Sequence, residues 1–461
     1  MGQSISQMDR TKQIKWLLTI IIPILILFVP ETGGVTKEIK VFFAITVAAI
    51  LCFAFELLNN MIPSLLLPFA YAVTNLVPLE VALKPWTVTV VWTVLCGFIL
   101  SLILERIGLL QRLACWCILK SGGTYNGILY GLVVAGIVAN LILPGAWSVA
   151  FAALGYGICK AFNLGKSKEA AGIMMTAAMA NLMPGFFIMD PSNVGVLIGV
   201  AGGVTDLTIT YTDYLMQNII FLPFGFVMAF TMSKLFKANV TIEGKAYFKA
   251  QLEEMGAFKK EEKKVIGVLI FFFLFLITSN IHGIGLVYGY IFAVILLYMP
   301  GVDAGTKEDI QRVNYPFLFF ITSCMSIGQV ANVLGVGELI SSSIIPHLGG
   351  IGPIGFLLII WLIAVLTNFL LTPLAAMAAL GAPITQMALD MGVRVEPVLY
   401  TFFNGLDQII MPYEYALYMI CFSYGLIHIK DFMKAFSTKM LISVIYLFLI
   451  VVPYWKLIGL L

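Results

Sequence analysis

Val138-Ala139-Asn140-Leu141-Ile142-Leu143-Pro144-Gly145-Ala146 and Leu366-Thr367-Asn368-Phe369-Leu370-Leu371-Thr372-Pro373-Leu374-Ala375 carry one pattern twice. Each is an apolar run interrupted by Asn and then by Pro, where a helix crossing a membrane should be continuous. Asn140 lies 32 residues after Gly108, and Asn368 lies 33 after Gly335. Both glycines follow a helical run. Broken apolar segments at matching places in two halves of a membrane protein are the best sequence pointer to a transporter's binding site.

The composition agrees. Of 461 residues, 61% are hydrophobic and 11% are charged, whereas soluble domains carry roughly 25% charged residues. This predicts an all-α, multi-pass integral membrane protein with almost no soluble domain, since lipid offers backbone groups no water partners. The runs 16–28, 41–57 and 441–452 suit helices. The first follows Arg10, Lys12 and Lys15 and has the look of a signal peptide. Glu31-Thr32-Gly33-Gly34 lacks a cleavage pattern, so the run is read as a retained first helix. Cys115-Trp116-Cys117 has the wrong spacing for a redox or zinc motif, and the seven cysteines read as small buried apolar residues. His282, His347 and His428 fall at predicted span ends in no metal-binding spacing. No phosphate loop, nucleophile elbow or paired-carboxylate motif stands out. The reading is not an enzyme, with no metal, no organic cofactor and no nucleic-acid partner.

Short-loop Lys and Arg mark the cytoplasmic side. With Arg10, Lys12 and Lys15 inside, Lys37–Lys40 falls outside, Asn59–Asn60 inside, and Glu80 and Lys84 outside. Arg106, Arg112 and Lys120 fall inside. So do Lys160, Lys166 and Lys168, so the first broken segment must enter and return as a re-entrant hairpin near 125–159. Asp206 and Asp213 fall outside and Lys234–Lys264 inside. Asn280–His282 then falls outside, Asp303–Arg312 inside and Gly335–Gly350 outside. The second hairpin, near 351–390, enters from outside, Lys430 and Lys434 lie inside, and the C-terminus ends outside. The result is about eleven spans plus two hairpins in two inverted repeats. The divisions are an N-terminal helix (1–38), a first repeat (39–233), a cytoplasmic interfacial connector (234–264) and a second repeat (265–461). A plasma (inner) membrane location with a cytoplasmic N-terminus follows.

Asn140 and Asn368 lead the candidate site, with their neighbours Leu141, Thr367 and Phe369. A polar side chain at membrane depth is costly unless paired or functional. An amide offers two donors and one acceptor to a carboxylate or a cation. Either Asn could instead cap its hairpin or bond a neighbouring helix. Two further breaks follow each hairpin. The first half has Asn181-Leu182-Met183-Pro184-Gly185 and then Met189-Asp190-Pro191-Ser192-Asn193. The second has Asn404-Gly405-Leu406-Asp407 and then Met411-Pro412-Tyr413-Glu414-Tyr415. Ser192 and Asn193 join the substrate candidates. Asp190, Glu414 and Thr372 are candidates for ion or proton coupling, unless the acids sit at an interface or pair with basic residues.

Three segments carry a resemblance. They are Gly97-Phe98-Ile99-Leu100 with Glu105-Arg106-Ile107-Gly108-Leu109, Glu253-Glu254-Met255-Gly256 with Lys259-Lys260-Glu261-Glu262-Lys263, and His428-Ile429-Lys430-Asp431-Phe432-Met433-Lys434-Ala435. With the broken segments they resemble, over nearly the whole chain, the divalent anion:sodium symporter family, carriers of dicarboxylates, citrate and sulfate. The resemblance implies a homodimer in which a hairpin-bearing domain moves like an elevator against a fixed scaffold. In that family each hairpin tip carries Ser-Asn-Thr, and each half has a later Thr-Pro-Pro-Asn loop; together these hold substrate carboxylate and sodium. Here the tips are Ala139-Asn140-Leu141 and Thr367-Asn368-Phe369, the first later loop is Asp190-Pro191-Ser192-Asn193, and the second, Tyr415-Ala416-Leu417-Tyr418, matches nothing.

The missing hydroxyls are ligands that a hard cation needs. The expected function is therefore secondary transport of small organic dianions, C4/C5 dicarboxylates such as succinate, malate or 2-oxoglutarate, by exchange. A sodium- or proton-coupled dicarboxylate or citrate symporter is the alternative, with a channel more remote.

Overall fold

The computed structural model describes residues 10–461 apart from 32–33, 56, 60, 146, 239–243, 337–338, 340–350 and 370. Most of the loop Gly335–Gly350, with His347, lies outside the described residues. So do Asn60, Thr32-Gly33, and Ala146 and Leu370 of the two broken stretches. The described residues are helical throughout, without strands. Among the described residues, five helices are long and apolar enough to cross a membrane: Thr89–Ile107, Tyr125–Ile142, Tyr211–Leu235, Tyr315–Val333 and Ile429–Leu457. Shorter apolar helices include Met61–Val73, Leu286–Tyr298 and Pro353–Asn368. The expected eleven spans therefore do not reduce to eleven unbroken helices. Several are cut by 3-10 turns, as at Met183–Phe186 and Ile219–Phe221, or carry a π-turn, as at Leu447–Val451. In Arg10–Leu27 the side chains of Ile14, Leu17, Ile20, Ile24 and Leu25 are exposed, an apolar surface that suits lipid rather than water.

Contacts divide the chain into two interleaved units. One comprises Met1–Val91, Val196–Thr208 and Asn314–Leu406; the other comprises Trp92–Gly195, Ile209–Val313 and Asp407–Leu461. In the first unit, Arg10–Leu27 packs on Lys37–Phe55, and Tyr315–Val333 packs on both Met61–Val73 and Pro373–Asp390. Its core holds Phe42, Phe53, Tyr71, Phe320 and Ile327. Phe53 meets Phe320 edge-on at 4.8 Å. The Tyr71 hydroxyl, which has no water to turn to, pairs with Thr46 Oγ1 at 2.6 Å.

The second unit is built on the helix Lys168–Leu182, which is buried almost end to end. Two helices, Tyr125–Ile142 and Ser148–Ala161, flank it. The spacing of close approaches gives their directions. Gly136 meets Ala180 and Asn140 meets Asn181, so the first helix runs parallel to Lys168–Leu182. Gly155 meets Ala177 and Cys159 meets Ala170, so the second runs antiparallel. The pair is a hairpin. Both its feet rest on the helix Gly244–Met255. Gly244 N donates to Gly123 O at 2.9 Å beside one foot. At the other foot Phe162 packs on Tyr247 at 5.4 Å. The polar stretch 234–264 thus divides. Gly244–Met255 stands apart, while Lys260–Lys264 forms the first turns of the apolar helix Lys260–Ile277, capped by Glu262 reaching back to Lys259 N at 2.9 Å.

Loops expected on one side of the membrane touch one another. Arg106 pairs with Asp309 at 3.2 Å and with Glu261 at 3.3 Å, and it also donates to Ala304 O. Arg112 donates to the carbonyls of Met255 and Gly256, pairs with Glu262 at 3.4 Å and lies over the Phe258 ring at 4.6 Å. On the expected opposite side, Asn280 donates to Asp213 at 3.1 Å, and Tyr454 donates to Met216 O.

Candidate functional site

Pro144 follows Asn140 in the first hairpin, so the helix ends at Ile142 and frees its last carbonyls. Asn140 ties this end together. Its Nδ2 donates to Gly136 O at 2.9 Å and to Asn181 O at 3.2 Å, and its Oδ1 accepts from Gly145 N at 3.0 Å. Trp147 Nε1 donates to Ala139 O at 2.9 Å and closes the tip. Gly145 turns the chain at φ +76°, and a Cβ there would stand 2.1 Å from an oxygen of Asp190. Only glycine lets that carboxylate come so near the tip.

The second hairpin, Pro353–Asn368 and Pro373–Asp390, repeats the device. Asn368 Nδ2 donates to Leu406 O at 2.9 Å and to Gly405 O at 3.4 Å. Each hairpin amide therefore reaches the carbonyls at the C-terminal end of the following buried helix, Lys168–Leu182 in one half and Val395–Leu406 in the other. Close packing supports each reach. A Cβ on Gly136 would meet Ala180 O at 2.0 Å, and one on Gly405 would meet Ala364 Cβ at 2.6 Å. Thr372 Oγ1 caps the returning helix by accepting from Ala375 N, Thr367 Oγ1 donates to Ile363 O, and Phe369 is exposed.

Asp190, Ser192 and Asn193 form one cluster. Asp190 Oδ1 accepts from Ser192 N at 2.8 Å and Ser192 Oγ at 2.7 Å, while Oδ2 accepts from Asn193 Nδ2. Asn193 Oδ1 in turn accepts from Tyr415 at 3.5 Å. Beside Asp190 lies a cavity of about 20 Å³ lined by Thr93, Gly97, Gly145, Ser192 and Tyr290, enough for about one water. The Tyr290 hydroxyl, fully buried, has no hydrogen-bond partner among the described residues. Glu414 caps its own turn, accepting from Met411 N at 2.9 Å and Ile410 N at 3.3 Å.

The structure thus joins Asn140 and Gly145 to the Asp190 cluster in the second unit, and it joins Asn368 to the Val395–Leu406 helix end in the first. It also reveals a buried charge that motif reading passed over. Lys439 is 0% exposed, donates to Asp407 O at 2.7 Å and pairs with the Asp407 carboxylate. One lysine inside the apolar run that begins after Lys434 was the available signal. A much larger cavity, about 550 Å³, lies among Leu109, Trp116, Ile142, Leu252, Phe258 and Ile270. Its lining is almost wholly apolar, and the one charged residue there, Arg112, is already engaged by Glu262 and the Met255 and Gly256 carbonyls, so it is not taken as the site. No cluster of metal ligands occurs among the described residues.

Apolar helices throughout, a hairpin with both feet on one helix, and two polar helix breaks facing hairpin tips define a multi-pass membrane transporter. The chain belongs to the family described as the sodium:sulfate symporter transmembrane region, whose model matches residues 10–461. Transporters of this family handle small anionic substrates. No curated protein matches the chain. Among solved structures it is similar to the YdaH transporter of Alcanivorax borkumensis, a transporter with an unusual topology, at 13% identity and a TM-score of 0.59. That match covers 90% of this chain and 98% of the other, and carries the fold alone.

Proposed function

We propose that this transporter is a secondary carrier that exchanges C4/C5 dicarboxylates, with succinate, malate and 2-oxoglutarate as the substrate type. The residues assigned to substrate are Asn140, Leu141, Ser192 and Asn193 in one unit and Thr367, Asn368 and Phe369 in the other. An elevator-type motion in a homodimer, in the plasma (inner) membrane, completes the reading. The observation that carries it is at the first tip. From Ala139 to Gly145 the only side-chain oxygen is that of Asn140, and it already accepts from Gly145 N. A sodium ion would find no free side-chain oxygen in this stretch, whereas the N-terminus of the returning helix Ser148–Ala161 suits a carboxylate. Asp190, hydrogen-bonded to Ser192 and Asn193, holds those two side chains in place.

A second reading has its own support. The cavity between Asp190 and the Tyr290 hydroxyl suits a proton or a bound cation, so a coupled symporter of dicarboxylate or citrate remains the competing mechanism. Proteoliposomes separate the two. Exchange predicts uptake of labelled succinate only into vesicles preloaded with unlabelled dicarboxylate. Uptake into empty vesicles that requires an inward sodium or proton gradient would replace exchange with symport.

A further inference from the structure

Lys439 belongs to no motif used above, and Asp407, which ends the break Asn404-Gly405-Leu406-Asp407, has been given no role. The helix Val395–Leu406 stops just before Asp407, and the chain then runs without regular structure to the 3-10 turn at Pro412–Glu414. A helix C-terminus leaves carbonyls without helical partners and carries partial negative charge. The Asp407 carbonyl and the Asp407 carboxylate are thus two oxygens at an electronegative helix end, which is the chemistry of an alkali-cation site. Their occupant is already present. Lys439 Nζ, on the helix Ile429–Tyr446, donates to that carbonyl at 2.7 Å and pairs with the carboxylate. One turn further along the same helix, Ser443 Oγ accepts from Gln408 at 3.1 Å and holds the broken segment against it. The lysine side chain is 1% exposed and that of Asp407 is 14% exposed, so the charges satisfy each other rather than water.

We propose that the Lys439 ammonium is a built-in cation. It fills by covalent tether the place that a coupling sodium ion would fill at the broken helix end of the second half. A tethered charge neutralises the carboxylate as a free ion would, but it cannot leave with the substrate, so no cation gradient can be harvested there. The family that gives this chain its fold is named for sodium coupling, and the residues here do not fit a free ion at this place. The functional meaning rests on the exchange reading; the test does not use transport.

The test is thermal stability of purified full-length protein in sodium chloride against choline chloride at equal ionic strength. A ligand that binds only the folded state raises Tm in proportion to the logarithm of its excess over Kd. The wild type is expected to show no sodium-specific shift. Lys439→Ala exposes the two oxygens and should gain a sodium-specific rise of about 2 °C or more. Lys439→Met, which keeps the packing of the lysine stem, is run beside it. Adding Asp407→Asn to either variant should remove the response. Equal sodium shifts in wild type and variants, or no sodium stabilisation of either lysine variant, would overturn the proposal. Failure of the uptake assay alone would overturn exchange and leave the salt response standing.

Discussion

Asn140 braces its own hairpin before it can meet a ligand. Its amide joins the hairpin helix, the tip and the end of the next helix through three hydrogen bonds. Cutting them leaves buried backbone groups unsatisfied, at about 1–3 kcal/mol for each group that finds no new partner. Asn140→Ala and Asn368→Ala should each reduce dicarboxylate exchange at least tenfold. Asn140→Ala should also lower Tm more, because it loosens the tip as well as the helix end. Initial rates in proteoliposomes and thermal melts of the same preparations check this, and near-normal exchange in both variants would remove the site assignment. The twin amides were legible in the sequence because a polar residue before a proline stands out in an apolar run. The Asp407–Lys439 pair was not, because its members lie 32 positions apart and only Asp407 falls in a quoted break. Only the fold shows that one neutralises the other. Likewise, the contact between Gly145 and Asp190 depends on a positive φ that no composition reveals.

Between elements, the polar contacts gather at the helix ends. Asp309 closes a cap by accepting from Thr306 N at 2.8 Å and from Thr306 Oγ1 at 2.8 Å. It also receives Arg106 from the helix Thr89–Ile107. Burial pushes the Asp309 carboxyl up, but hydrogen bonds from Arg106 and Thr306 outweigh it and hold the group below the usual carboxylate range. A carboxyl depressed in the folded state adds stability that is fully present above its unfolded pKa, about 3.9 for Asp. That stability drains away as pH falls through the lower folded value. The clamp should therefore be insensitive to pH near neutrality and weaken on acidification below about pH 4. Asp309→Asn keeps the shape and loses the charge. It should cost about 1–2 kcal/mol at pH 7 and much less at pH 3. Melts of both proteins at the two values test the sign, and an equal loss at pH 3 would show that the carboxylate does not supply the effect. The polar character of 234–264 was readable in the sequence, but its division was not. Lys260–Lys264 joins the apolar helix Lys260–Ile277 because Glu262 is consumed internally, as cap and as partner of Arg112, and a residue count cannot see that.

For the molecule as a whole, orientation rests on charge bias alone, and the contacts supply an independent check of its internal logic. Loops expected inside, around Arg106, Glu261 and Asp309, meet one another. Loops expected outside, around Asp213 and Asn280, do the same. Had the first hairpin been a full crossing, Glu261 and Asp309 would lie across the membrane from Arg106, which they meet. The feet of the first hairpin on Gly244–Met255 remove that possibility for the first half. Sidedness can be read from sequence at all because Lys and Arg placement is a property of loops, whatever the packing of the spans. The number of unbroken spans is not read so directly, because 3-10 turns and π-turns answer to local packing. Absolute sidedness can be read with single cysteines. Six of the seven native cysteines are buried and Cys52 is half-buried, so labelling by a membrane-impermeant maleimide starts from a low background. Asn280→Cys, at an exposed position, should label in intact cells. Lys166→Cys and Lys307→Cys, also at exposed positions, should label only after permeabilisation. The reverse pattern would keep the fold and invert its orientation. Labelling of Lys166→Cys and Lys307→Cys from opposite sides would break the hairpin assignment itself, since the first hairpin returns to the side on which the loop bearing Lys307 lies.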